Sequence, residues 1–144
     1  MSAAAVIARP LDGFAPGSST LLPGPLDLAV EPESGLVIVS GHGLWTPSQL
    51  HAHLRDYHDL LGRIRKPGGH VRVLVNLKDV GVQTPQVTQV LAGGTMHCHL
   101  DGDRIAMIVP GSLAKMQMRR ILGTRLHEYF ISEVAARLWL ASGA

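Results

Sequence analysis

The chain has 144 residues, a formal net charge of +2, 46% hydrophobic residues and 17% charged ones. A chain of this size buries roughly two-thirds of its unfolded surface, so one core can form without a structural metal or a disulfide. The composition excludes a disordered polymer, and no apolar run approaches the ~20 residues of a membrane-crossing helix.

Residues 1–25 are Ala, Gly, Pro, Ser and Leu without periodicity and read as a flexible arm; the alternative is a strap laid down through Leu21 and Leu22. The periodic signal starts at residue 26, so the folded domain is expected over 26–144. Leu28-Ala29-Val30 and Leu36-Val37-Ile38-Val39 are β-prone runs on either side of Pro32-Glu33-Ser34-Gly35, a connection of hairpin length. Thr46-Pro47-Ser48-Gln49 begins a helix with a Thr-x-x-Gln capping box and proline in the first turn. Leu50, Leu54, Tyr57, Leu61 and Ile64 then form one stripe, which Lys66-Pro67-Gly68-Gly69 ends. His70 to Leu77 is a strand, so strand, capped helix and strand make a βαβ unit with parallel pairing.

Thr84-Pro85 starts a second helix through Val87, Val90 and Leu91, which Gly93-Gly94 weakens or breaks. Arg104 to Val109 is a continuous apolar strand. Pro110-Gly111-Ser112 turns it into a third helix carrying Leu113, Met116, Ile121 and Leu122 and closed by Gly123. A short strand, Leu126 to Ile131, leads to Ser132 as N-cap of a last helix carrying Val134, Ala135, Leu138 and Trp139. The order β-β-α-β-α-β-α-β-α predicts a single-domain α/β sandwich on a five-stranded mixed sheet.

Three stretches resemble the SpoIIAA-like branch of the STAS superfamily, small α/β domains also likened to Sec14-type lipid carriers. They are Gly43-Leu44-Trp45-Thr46, like a G-x-x-T lead-in to the first helix; Asp103 to Val109, like an R-I-A-V-V-G strand; and Phe130 to Leu140, like a terminal F-x-x-x-x-x-A-x-x-W-L. The resemblance spans about Leu26 to Ala141. It implies helices mainly on one face of the sheet and no conserved enzymatic machinery. It also implies either a ligand- or lipid-associating module or a relative of the anti-sigma-factor antagonists, which act by docking protein partners. That antagonist branch carries a phosphorylatable serine behind an aspartate after the third strand. Here Asn76 stands where the aspartate is usual, and Thr84 is the candidate phosphoacceptor, although a threonine before Pro85 also reads as an ordinary N-cap.

The +2 conceals an uneven spread. Residues 1–50 hold one basic residue against four acidic, a net of −3, and residues 51–144 hold twelve against seven, a net of +5. The surplus gathers at Lys115, Arg119, Arg120 and Arg125. With only two each of Trp, Tyr and Phe, the chain lacks the stacking residues of a nucleic-acid surface, and no nucleic-acid partner is expected. A lone cysteine, Cys98, excludes an intramolecular disulfide and fits a reducing compartment. Residues 1–9 have neither the basic leader nor the apolar core of a secretory signal, so a cytoplasmic location is expected.

Eight histidines raise the question of metal. His51 and His53 lie about 200° apart on a helix, and His51 and His58 are nearly two turns apart, so neither pair can share an ion. His97-Cys98-His99 lacks a fourth ligand, and neither metal nor cofactor is expected. No nucleophile elbow, phosphate loop or dinucleotide fingerprint occurs, and Cys98 has no evident base, so an enzyme is not expected. The third helix is the most suggestive segment: methionines interleaved with arginines suit an adaptable apolar surface rimmed by positive charge. The expected function is therefore a non-enzymatic binding module. It would hold a small apolar or lipid-like ligand between the sheet and the helices of 84–100 and 112–122, with peripheral membrane contact through the latter. Trp45, Leu113 and Met116 would line the apolar part, and Lys115, Arg119 and Arg120 would meet an anionic head group. The alternative is a protein–protein regulatory module docked near Thr84. Exposed apolar positions also make a homodimer an open expectation.

Overall fold

The computed structural model describes residues 26–142, so the arm expected over 1–25 lies outside the described residues. The strands are β1 (Leu26–Val30), β2 (Val37–Gly43), β3 (Arg72–Val80), β4 (Arg104–Ile108) and β5 (His127–Phe130). They lie side by side in chain order; β1 pairs antiparallel with β2, and β2, β3, β4 and β5 are parallel neighbours. The parallel strands are joined by α1 (Pro47–Ile64), α2 (Pro85–Met96) and α3 (Ser112–Leu122), and α4 (Glu133–Ser142) follows β5. The expected element order is the observed one. β3 runs three residues past the expected Leu77, because Asp79 and Val80 find partners in His42 and Gly43 beyond a register shift in β2.

Strand alternation divides the core in two. On one face Val37, Val39, Val73, Leu77, Ile105, Met107 and Tyr129 pack under α1 and α2, with Met118 and Leu122 of α3 laid against them. On the other, Leu36, Leu74, Ala106 and Ile108 receive α4 through Ala136 and Leu140. Three helices therefore cover one face and one covers the other. The last helix turns inward through Ala136 and Leu140 with Trp139 half-buried, leaving Val134 and Leu138 in solvent. Arg104 fixes this side: its guanidinium lies 3.8 Å from the Trp139 ring centroid and donates to the Trp139 carbonyl at 2.7 Å.

The capping box at the start of α1 is complete. Thr46 Oγ1 accepts from the Gln49 N–H at 3.1 Å, and Gln49 Oε1 accepts from the Thr46 N–H at 2.9 Å. Leu50, Leu54, Tyr57, Leu60 and Leu61 form the buried stripe. The expected break at Gly93-Gly94 does not occur; α2 continues to Met96. Gly94 is the contact point, since a Cβ there would lie 2.3 Å from Leu54 Cδ1. The glycine lets α1 and α2 approach closely, and that packing outweighs a propensity cost of about 1 kcal/mol.

Asp103, fully buried, ties the end of α1 to the sheet. It accepts from Arg65 at 2.7 Å and from the backbone N–H groups of Val71 at 2.9 Å and Leu100 at 2.8 Å. Burial alone would raise its pKa, but these donors together hold it below the usual carboxylate value. Among the described residues no helix is long and apolar enough to cross a membrane.

Candidate functional site

A cavity of about 370 Å³ opens at the carboxyl ends of β3 and β4, between α2 and α3. Ligands in open α/β sheets commonly bind outside the carboxyl ends of parallel strands, where a reversal of strand order parts the loops. Here the order never reverses, so another cause opens the space. α3 buries no residue completely, has glycine at its N-cap, and makes no side-chain cap hydrogen bond. Only its Met118 and Leu122 pack against the core, and the space left beside them beneath α3 is the cavity.

The walls are mostly aliphatic: Leu77 and Val80 from β3, Val87 and Leu91 from α2, Val109 from the end of β4, and Leu113, Ala114, Met118 and Ile121 from α3. Gln83 organises the loop wall. Its carbonyl oxygen accepts from the Trp45 N–H at 2.9 Å, while its amide donates to the carbonyls of Gly43 at 2.9 Å and Gly81 at 3.0 Å. One carboxamide thus clamps the β2–α1 loop to the β3–α2 loop. The sequence places Gln83 beside Thr84-Pro85 but carries no sign of this clamp, because Trp45 and Gly43 lie 38 and 40 residues away.

The expected site residues are only partly brought together. Leu113 lines the cavity and is 76% exposed, an apolar side chain set at an open mouth. The lining methionine is Met118, not Met116, which is 58% exposed on another side of α3. Trp45 lies in the core beneath α1, outside this cavity. The expectation that Lys115, Arg119 and Arg120 converge on one head group does not fit the helix. At about 100° per residue, Lys115 and Arg119 fall opposite the lining arc and Arg120 at its edge. Arg119 instead extends toward the Tyr129 ring, 5.9 Å from its centroid. Thr84 is exposed and caps α2, its Oγ1 accepting from the Val87 N–H at 3.2 Å. Asn76 Oδ1 accepts from the Lys78 N–H at 3.1 Å, a turn contact within its own strand.

A second feature escaped the sequence reading. Tyr57 of α1, His99 after α2 and His127 of β5 form an array in which Tyr57 and His127 are buried and His99 is half-buried: Tyr57 Oη and His99 Nε2 are 2.6 Å apart, and the His99 and His127 rings meet edge-on at 5.5 Å. Burial is the main cause that lowers the pKa of both imidazoles to about 4, and it raises the Tyr57 phenol well above its usual value. At neutral pH the array is uncharged. Cys98, beside it, is buried, and burial pushes its thiol up, away from the thiolate a nucleophile needs. Among the described residues no three His, Cys, Asp or Glu side chains are grouped to hold a metal ion.

No family model matches the chain, and no curated protein matches it. Among solved structures it is similar to an uncharacterized DUF3478-family protein with a SpoIIAA-like fold from Shewanella loihica PV-4. The two are 15% identical, and the match covers 82% of this chain and 94% of that one with a TM-score of 0.59. At such identity the likeness concerns fold alone. It agrees with the three stretches that carried the sequence resemblance, which lie at the lead-in to α1, along β4, and from β5 into α4. With its mixed five-stranded sheet in sequential order and three helices on one face, the chain has the SpoIIAA-like fold.

Proposed function

We propose that the protein is a non-catalytic module that holds a small apolar or amphiphilic molecule between α2 and α3. The carrying observation is the 370 Å³ aliphatic cavity beneath a helix that buries no residue of its own. That volume lies within the range of small-molecule sites, and a few fixed polar groups at one end, here Gln83 and Thr88, are the usual means of orienting a ligand. Leu113 and Ile121 at the opening favour an apolar body inside. The cations of α3 lie outside the cavity lining and favour a peripheral approach to an anionic surface over direct contact with the ligand. A second reading is a docking module of the antagonist type. It draws on Val82 and Leu44, which are 72% and 53% exposed on the loops beside Thr84.

Native mass spectrometry of the gently purified protein tests the first reading. The expected result is a bound species of lipid or fatty-acid size, lost when the exposed Gln117 in the cavity wall is replaced by tryptophan. A protein that arrives without adducts and takes up no oleate would remove the carrier reading. Phosphopeptide mapping at Thr84 tests the second; phosphate found there under native expression would favour it.

A further inference from the structure

Farther along the groove between α2 and α3, beyond Ile121, lies a cavity of about 300 Å³ that the carrier reading does not use. Its walls are Ala92 and Thr95 of α2, Ile121 and Leu122 of α3, Leu126, His99 and His127, with Arg125 also in its lining. Two of these side chains have polar capacity to spare. His127 is only 8% exposed, yet its ring makes no hydrogen bond among the described residues; it stacks on Tyr129 and meets the edge of His99. His99, by contrast, is spent on Tyr57 Oη. A neutral imidazole keeps one N–H donor and one lone pair, which a ligand in the cavity can meet. The other group is Arg125. It pairs with Asp101, but both side chains are largely exposed, and such a pair contributes about 0–1 kcal/mol. Its guanidinium is therefore easily drawn to a competing anion, and its fork matches a carboxylate.

We infer that this cavity is a second ligand site, one that takes a small organic carboxylate. The carboxylate lies between the Arg125 guanidinium and the His127 N–H, and the apolar body rests on Ala92, Ile121 and Leu126. Each part of the lining selects against something. An uncharged amide satisfies His127 but leaves Arg125 without a partner, whereas an inorganic anion leaves the aliphatic walls uncovered. The site is separate from the first cavity and does not depend on it, since only Ile121 borders both.

Benzoate is the probe, titrated into the full chain and followed through the backbone amide shifts of β5 and the end of α3. The expected result is saturable binding with a Kd of about 1 mM, corresponding to roughly −4 kcal/mol. Benzamide, of the same shape without the charge, and the variant Arg125→Gln should each bind at least tenfold more weakly. Arg125 is on the surface, so this variant keeps its fold even if His127→Phe, which should also lose benzoate, does not. Gln117→Trp, which closes the first cavity, should leave benzoate binding unchanged. The inference is overturned if benzoate produces no saturable shifts, if Arg125→Gln or benzamide binds as well, or if Gln117→Trp abolishes binding.

Discussion

α1 and α3 occupy equivalent places, each crossing between parallel neighbours on the same face of the sheet, yet they are held in opposite ways. α1 is anchored at both ends and along its length: a reciprocal cap at Thr46 and Gln49, five buried side chains, and Arg65 on the buried Asp103 just past its last turn. α3 has a glycine cap and no completely buried residue. The energetic contrast follows from burial, since a fully buried leucine contributes about 1.5–3 kcal/mol over an exposed one. The fold thus assigns stability to α1 and leaves α3 free to border cavities on its sheet side. Elements that gate binding are drawn from the least stable parts of a structure, and α3 fits that description.

The sharpest way to break this contrast is to truncate one side chain under each helix. Leu60→Ala, at a completely buried position of α1, should lower the unfolding free energy by about 2–5 kcal/mol, whereas Met118→Ala on α3 should cost less than about 1.5. Urea denaturation of the two variants checks this; equal losses would show α3 to be as firmly held as α1.

Acid should loosen the side on which α1 is anchored. His99 and His127 have pKa values of about 4 in the fold, against 6.5 for the ordinary group, so the unfolded chain takes up these protons first. Stability from this source is intact above pH 6.5 and declines as pH falls from 6.5 toward 4, by up to about 1.4 kcal/mol per pH unit for each histidine. Denaturation midpoints measured across that window test the sign. His127→Phe should flatten the slope by about half, and an unchanged slope would mean that the array is not held neutral.

Two adjacent glycines test the contact between α1 and α2. A Cβ at Gly94 collides with Leu54, so Gly94→Ala should destabilise by about 1 kcal/mol once the gain in helix propensity offsets part of the crowding. Gly93 faces open space, and Gly93→Ala should stabilise by up to about 1 kcal/mol. Thermal melts of the pair should therefore move in opposite directions. The smallest effects concern the caps. Thr46→Ala should cost about 1 kcal/mol, while Gly111→Asp, which supplies α3 with the cap and the N-terminal negative charge it lacks, should add a few tenths. If Gly111→Asp also slows exchange of ligand between the first cavity and solvent, the looseness of α3 is part of its function.

Much of the fold could be read from local chemistry. The Thr46–Gln49 box, the stripe from Leu50 to Ile64 and the β-branched run from Val71 involve residues close in sequence, where periodicity and capping act directly. Gly93-Gly94 misled for a tertiary reason: their propensity argues for a break, and the approach of Leu54 overrides it. On α3 the choice of Met116 over Met118 had a local remedy. At 100° per residue Met118 falls with Leu113, Ala114 and Ile121 while Met116 falls among Lys115, Arg119 and Arg120, so the helical period separates the two methionines. The pairing of His99 with His127 was hidden, because 28 residues and a whole helix separate them and strand alternation does not say which face of β5 is covered.

The sequence by itself determined the elements, their order and a partly parallel, mixed sheet, since these follow from hydrophobic period, turn residues and the geometry of a βαβ connection. Only the tertiary structure decided where the cavities lie and which side chains enter them. Those depend on how far each helix stands from the sheet, and that distance is set by side chains meeting across the fold, as Leu54 meets Gly94 and as no buried residue of α3 meets β4.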